Sequence, residues 1–488
     1  MKHLERYLIP IGTLIVGVIL GGFFLTGEEV KIPNIPNFKS DPIDEINQLL
    51  DAIEEYSMYY EEKDPLIDGA MHGIVAALED PYSSYLNEEE LKEFYDHIYA
   101  QYAGAGIMII QNGKYPVINT VYENTPASKS GLQRGDVIYE VEGQSVADLT
   151  TSEIAALIKG EKGAERSMRI YRGSLDNSIE IKLNVDIISQ ETVTTEVLTQ
   201  DGHKYGYVSI SMFSEGTYEE MKKDIEALNT NNNLNGYILD VRNNPGGMLT
   251  TVKKMIDYFI DTDEPILYRK KIDEEPVGEY ANSIDSEISK EIVVLINENS
   301  ASASEIFAAT LEYYGDHELV GKTTYGKGTV QNTFFFTQDQ EVAVKLTVET
   351  WLTPGKDWIQ DVGVAPTVEI DPAALEEIGF IDFFEPLKYD TVHTEISEMQ
   401  ALLKKLDYSD TIRTDGYFDL ETKNALQEFQ EDYQIDVTGE LNFETAYHLN
   451  IKLMELLESK EEDVQLNKAK LVLKCKIDEG EACEYSQD

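Results

Sequence analysis

Ser302 lies in the run Asn297-Glu298-Asn299-Ser300-Ala301-Ser302-Ala303-Ser304-Glu305-Ile306, which follows a short apolar stretch and opens a helix-periodic one. A serine at such a junction has its hydroxyl at the positive end of the helix dipole, with unpaired backbone N–H groups beside it. That setting suits a nucleophile and an oxyanion. Ser302-x-x-Glu305 is also a capping box, the commonest duty of a serine at a helix start, and Ser300 and Ser304 compete for the same role. Lys327, 25 residues further on, sits between Gly326 and Gly328 ahead of an apolar strand. It is either a surface lysine on a hairpin or, if burial lowers its pKa, a base able to take a serine proton. Gln331, four residues later, could hold that amine by a hydrogen bond. A third segment, Asp240-Val241-Arg242-Asn243-Asn244-Pro245-Gly246-Gly247, ends another apolar strand, where α/β folds place their sites. Its glycines allow N–H groups to turn toward a ligand, although taken alone Asn-Pro-Gly-Gly is a tight turn. Rival chemistries lack their residues. There is no G-x-S-x-G elbow, no H-E-x-x-H, and no cysteine before Cys475. The seven histidines lie outside the three segments; His317 comes nearest, in a polar loop read as solvated.

Such groups need rigid elements to hold them. Between 204 and 370 the apolar runs 208–212, 237–241 and 292–296 read as buried strands, separated by helical stretches at 217–229, 248–261 and 303–314. Residues 100–185 switch to short β segments with Gly-rich turns and one helix at 151–159, opened by Thr151-Ser152. Residues 42–98 read as helical, with Ile43, Ile46, Leu49, Leu50 and Ile53 on one stripe, interrupted by a turn at Asp80-Pro81-Tyr82-Ser83-Ser84-Tyr85-Leu86. A small helical unit covers 395–451, and the acidic, Lys-rich remainder reads as disordered or a frayed helix. Cys475 and Cys483 are too close together for a disulfide framework or a zinc site; a small closed loop and two free thiols both remain open.

Apolar residues make up 42 % of the 488, enough for several cores. Forty basic against 91 acidic residues give a formal net charge of −51, which repels phosphate and excludes nucleic acid as a partner. Residues 7–25 are uncharged and mostly apolar, long enough to cross a bilayer as a helix. Lys2 and Arg6 precede them and Glu28-Glu29 follow, so the bulk is expected outside the membrane. No small-x-small site follows directly, which favours an uncleaved anchor over a signal peptide.

The segments DVRNNPGG, SASASEIFAA and GKTTYGKGTVQ, in that order and separation, resemble the carboxyl-terminal processing (tail-specific) proteases, and TVETWLTPGKDWIQDVGVAPTVEI continues the likeness to residue 370. The resemblance implies Ser302 as nucleophile, Lys327 as general base and Gln331 as the residue positioning the lysine. It implies an oxyanion hole from the N–H groups of Gly247 and Ala303. Trp351 and Asp361 depart from the family pattern, at strand edges rather than at the dyad. Residues 100–185 resemble a PDZ domain; Gly104, Ala105, Gly106 and Ile107 would form the peptide-binding loop, with Pro126-Ala127, Gly131-Leu132 and Gly135-Asp136-Val137-Ile138 as its signature. Residues 395–451 resemble a peptidoglycan-binding helical module.

The expected architecture is therefore a multidomain α/β protease core with an inserted β-rich PDZ domain, an N-terminal helical segment and a small all-α C-terminal domain. Its boundaries fall at 7–25 (transmembrane anchor), 26–41 (linker), 42–98, 99–186 (PDZ), 187–387 (protease core), 395–451 and 452–488 (acidic tail). The expected partners are protein substrates with free C-termini, peptidoglycan, the membrane and a second copy of the chain; no cofactor and no metal is implied. The rival reading is a catalytically silent PDZ scaffold at the cell wall.

Overall fold

A parallel strand covered by helices on both faces must be apolar on both faces, and the runs 236–240 and 291–296 have that composition. The computed structural model describes residues 42–112, 114–147, 149–281, 288–336, 341–382, 385–480 and 483. The anchor and linker expected at 7–41 lie outside the described residues, among which no helix is long and apolar enough to cross a membrane. The chain divides into two units, Met1–Glu79 and Asp80–Asp488. The described part of the first holds the helices Pro42–Tyr56 and Asp64–Ala76.

In the second unit a six-stranded sheet runs in the order Val193–Gln200, His203–Ile210, Gly236–Asp240, Glu291–Ile296, Glu318–Gly321, Val368–Glu369. Its first pair is antiparallel and the rest are parallel. Helices Thr217–Asn231, Leu249–Phe259 and Ala303–Gly315 contribute Ile225, Met255, Ile256 and Phe307 to the core on one face. The other face is covered by Val464–Glu479, which lays Leu466, Ala469, Val472 and Leu473 on Ile238, Val293, Leu295 and Val320. This corrects the reading of 452–488 as an acidic tail. The preceding helix runs to Glu458, and the last one hides a narrow apolar stripe among many charges. Cys475 and Cys483 are joined in a disulfide.

A second sheet brings Ala343–Leu352 between Ser84–Leu86 and Leu267–Lys270 on one edge and Thr329–Phe335 on the other. The inserted β domain orders its strands Ile107–Ile110, Val117–Val121, Val137–Val141, Glu165–Arg172, Ser174–Asn184. The chain enters it along Gln101–Gly104 and leaves along Asp186–Ser189, two strands paired antiparallel as a stalk. Its helix Thr151–Ile158 starts where the sequence placed it, but Thr150, not Thr151, forms the capping box with Glu153.

Candidate active site

Ser302 is the cap residue between the buried strand Glu291–Ile296 and the helix Ala303–Gly315. Its backbone is at φ 55°, ψ −110°, a region that non-glycine residues occupy only under constraint. A strained strand-to-helix turn of this kind can hold a side chain out for chemistry, here without a G-x-S-x-G sequence. The room comes from another loop. A Cβ on Gly246 (φ 106°) would lie 2.9 Å from Ser302 Cβ and 2.7 Å from the Ala301 carbonyl oxygen, so only glycine lets this loop pass behind the serine. The three serines are no longer equivalent. Ser300 and Ser304 are fully buried, and their hydroxyls donate to the carbonyls of Val241 and Asn244, each at 2.8 Å. Ser302 is half-buried, and its hydroxyl proton has no acceptor among the described residues.

Lys327 is brought to the serine by Glu305. One carboxylate oxygen of this fully buried residue accepts the Ser302 N–H (2.7 Å) and the Lys327 N–H (2.9 Å). The other accepts the Gly326 N–H (2.7 Å) and the Thr324 hydroxyl (2.6 Å). The side chain that reads as half of a capping box is thus the clasp between two loops 22 residues apart. The indole N–H of Trp351 donates to the Lys327 carbonyl (2.8 Å) and that of Trp358 to the Gly328 carbonyl (3.0 Å). Trp351 therefore bears directly on the lysine loop, which corrects its placement at a mere strand edge. Asp361 donates its N–H to the Gly326 carbonyl from φ 58°, a left-handed conformation in which glycine is the unstrained residue. Burial pulls the Lys327 amine below the ordinary lysine value and Lys345 adds to the effect, while Glu305 and Asp80 oppose it.

Gln331 gives its amide protons to Thr329 Oγ1 (3.0 Å) and Thr347 Oγ1 (3.2 Å), not to the lysine. Its carbonyl oxygen is the atom that could accept from a lysine amine. The N–H groups of Gly247 and Ala303 donate to no other described residue, whereas the Gly246 N–H is taken by Asn244 Oδ1 (2.8 Å). Asn244, also fully buried, ties this loop to the serine segment, accepting from the Ala301 N–H (3.0 Å) and from Ser304. His317 lies beyond the far end of the serine helix, about 20 Å away at 1.5 Å per residue. It is not the solvated residue its polar loop suggested: burial pushes its pKa down to about 4.

Three residues at this site escaped the sequence reading: Glu305 as a clasp, and Asp80 and Tyr82. The Lys327 amine is 5.0 Å from the centre of the Tyr82 ring. The only sequence signal was the turn at 80–86, because the strand Ser84–Leu86 reaches this place by pairing with Lys345 and its neighbours, some 260 positions later.

In the β domain, Gly104 ends the stalk strand opposite Asp186, Ala105 and Gly106 make the turn, and Ile107 opens a strand paired only on one side. Gly106 is at φ 83°, with Thr125 where a Cβ would be. The Ala105 and Gly106 carbonyls accept from Ala127 and Tyr122, and their own N–H groups donate to no described residue. The strand edge is thus open to an added chain. A cleft of about 450 Å³, lined among others by Lys92, His97, Tyr102, Gly160 and Met212, lies beside the stalk.

Comparison with known proteins gives matches to peptidase family S41 over residues 204–370, a PDZ domain over 117–172, a peptidoglycan binding domain over 392–449 and the activating protease CtpB N-terminal domain over 29–90. The carboxy-terminal processing protease CtpA of Bacillus subtilis (strain 168) is 31 % identical over 478 residues, 97 % of this chain and 99 % of that protein. CtpB of the same organism is 31 % identical over 428 residues, 88 % of each. Among solved structures, the photosystem II D1 C-terminal processing protease aligns at a TM-score of 0.42 with 24 % identity, covering 66 % of this chain and 85 % of that one.

Proposed function

The chain belongs to the carboxy-terminal processing serine peptidases of family S41, and from that premise we propose that it hydrolyses peptide bonds by a Ser302–Lys327 dyad, outside the cell membrane, in proteins presented by their C-terminal tails. The observation that carries the dyad is the single Glu305 oxygen receiving both the Ser302 and the Lys327 N–H. The neutral Lys327 amine takes the Ser302 proton as the oxygen attacks the scissile carbonyl. The resulting oxyanion meets the N–H groups of Gly247 and Ala303 at the start of a 13-residue helix, whose dipole favours negative charge. The lysine ammonium then protonates the leaving amine, and the neutral lysine activates water against the acyl-enzyme. Gln331, fixed by two threonines, presents its oxygen to orient the amine between these steps.

The open edge at Ile107 and the free N–H groups of the 105–106 turn support docking of a substrate C-terminus, and the cleft beside the stalk offers it a way toward the core. The apolar segment 7–25 and the Cys475–Cys483 disulfide, a bond that persists in oxidising compartments, support a tethered enzyme facing outward. The module at 392–449 would then hold it near peptidoglycan. The test uses the detergent-solubilised full chain and a protein substrate with a free or an amidated C-terminus. The free acid is cut, the amide more slowly, and Ser302→Ala or Lys327→Ala lowers kcat by about 10³ or more. Unchanged turnover in either variant at matched Tm removes the dyad. Equal cleavage of acid and amide removes tail recognition alone.

A further inference from the structure

A lysine used as a general base must be acceptable to the fold in two states, neutral before the serine proton moves and charged afterwards. Burial serves only the first. What serves the second lies in the turn at residues 80–83. Its Asp80 carboxylate accepts the Tyr82 N–H (3.1 Å) and the Ser83 hydroxyl, with the Thr347 hydroxyl close enough to favour its charged form. Burial would raise its pKa, but these bonds hold it below the ordinary carboxylate value, so the group stays charged. Thr347 is the same residue whose hydroxyl receives the Gln331 amide, and its N–H donates to Ser83 Oγ (3.0 Å). The turn and the Gln331 strand are therefore one hydrogen-bonded body. Tyr82 lies over the lysine, its ring centre 5.0 Å from Nζ and its hydroxyl in the neighbourhood of Tyr325 and Gln360. Gln360 in turn accepts the Gly328 N–H (2.9 Å). Tyr82 thus spans the lysine loop from one flank to the other.

We propose that the turn at 80–83 is a working part of the active site: Tyr82 covers the Lys327 amine, and Asp80 and Lys345 act on that amine in opposite senses to balance its neutral and charged forms. This rests on Lys327 being the base. The groups facing it are Glu305 from the serine helix, Asp80 and Tyr82 from the turn, Lys345 from the strand Ala343–Leu352, and Tyr325 from its own loop, with Asp361 beside Tyr82. Lys345, opposite Ser84 and Thr333 in the sheet and packed on Phe94, repels the ammonium. Asp80 and the ring face attract it. All three are positioning residues, acting on the base and not on substrate.

The experiment is the pH profile of kcat/KM for the full chain, whose acid limb reports the base in the free enzyme. Lys345→Met removes a like charge and moves the limb to higher pH. Asp80→Asn removes an attracting charge and moves it to lower pH. Damage to the fold would lower the plateau without moving the limb, and would not move it in two directions. Tyr82→Leu lowers kcat roughly three- to thirtyfold, and Tyr82→Phe, which keeps the ring, stays within about twofold. Limbs that stay put, or move together, in the two charge variants overturn the proposal, as does equal loss in Tyr82→Leu and Tyr82→Phe. Retained activity in Lys327→Ala would instead refute the dyad itself, so the two failures are separable.

Discussion

At the residue scale the two groups proposed for chemistry are held at a cost to the fold. Ser302 occupies φ 55°, ψ −110°, and Lys327 is half-buried with its charged form disfavoured. Replacing either should stabilise the protein. Ser302→Gly relieves strain of about 1–3 kcal/mol, less the extra freedom of glycine in the unfolded chain, and should raise Tm by a few degrees while ending proteolysis. The lysine adds a pH signature. Its folded-state pKa lies below the unfolded value of 10.5, so in that window the unfolded chain binds more protons and native stability rises with pH. Lys327→Met lacks this dependence. Its excess stability should be fully present below the folded-state value and vanish as pH approaches 10.5. Thermal melts of both proteins between pH 7 and 10.5 would show this, and a constant gap in Tm would contradict it.

At the element scale, the helix Ala303–Gly315 and the loop ahead of the strand Thr329–Phe335 belong to different sheets, and one carboxylate joins them. Four donors converge on the two Glu305 oxygens. In Glu305→Gln one oxygen becomes an NH₂ facing donors, so at least two buried bonds are lost at similar side-chain volume. The expected destabilisation is roughly 2–4 kcal/mol, readable by denaturant titration. Turnover per folded molecule should also fall, because the loops lose their common anchor. Full turnover per folded molecule would make Glu305 a helix cap and nothing more. Sequence reading reached the cap for a physical reason: a capping box looks the same whatever else its carboxylate receives. The strand assignments fared better, since a short apolar run between helical patterns leaves few alternatives, as at Gly236–Asp240 and Glu291–Ile296.

At the scale of the whole molecule, the helix Val464–Glu479 completes the cover of the six-stranded sheet. Arg242 on the Gly246 loop is bound by Asp240 beside it and by Asp463 at the start of that helix, so the helix also braces the loop proposed to hold the oxyanion. Removing it would delete the packing of Leu466, Val472 and Leu473 and expose the strand residues they cover, Ile238, Val293, Leu295 and Val320. At about 1.5–3 kcal/mol per large side chain, the loss rivals a typical total stability of about 5–15 kcal/mol. A chain ending at residue 459 should therefore be insoluble or lack a cooperative transition. Cys475→Ser with Cys483→Ser removes only a link across eight positions at the outer end of the helix and should keep the fold. A soluble, cooperatively melting truncation would show that the sheet needs no second cover.

The sequence by itself determined the α/β alternation and the inserted β domain, because apolar period and glycine placement are local properties of a chain, and through a family resemblance its motifs nominated Ser302, Lys327 and Gly247. Only the tertiary structure decided which of three serines keeps its hydroxyl proton without an acceptor among the described residues, since Ser300 and Ser304 differ from Ser302 in the carbonyls above them and not in their neighbours. Only it brought Asp80 and Tyr82 to the lysine, through strand pairing across some 260 positions. And only it turned a charged tail into the second face of the core, because a helix needs just four apolar residues on one stripe to cover a sheet, too few to stand out among its four lysines.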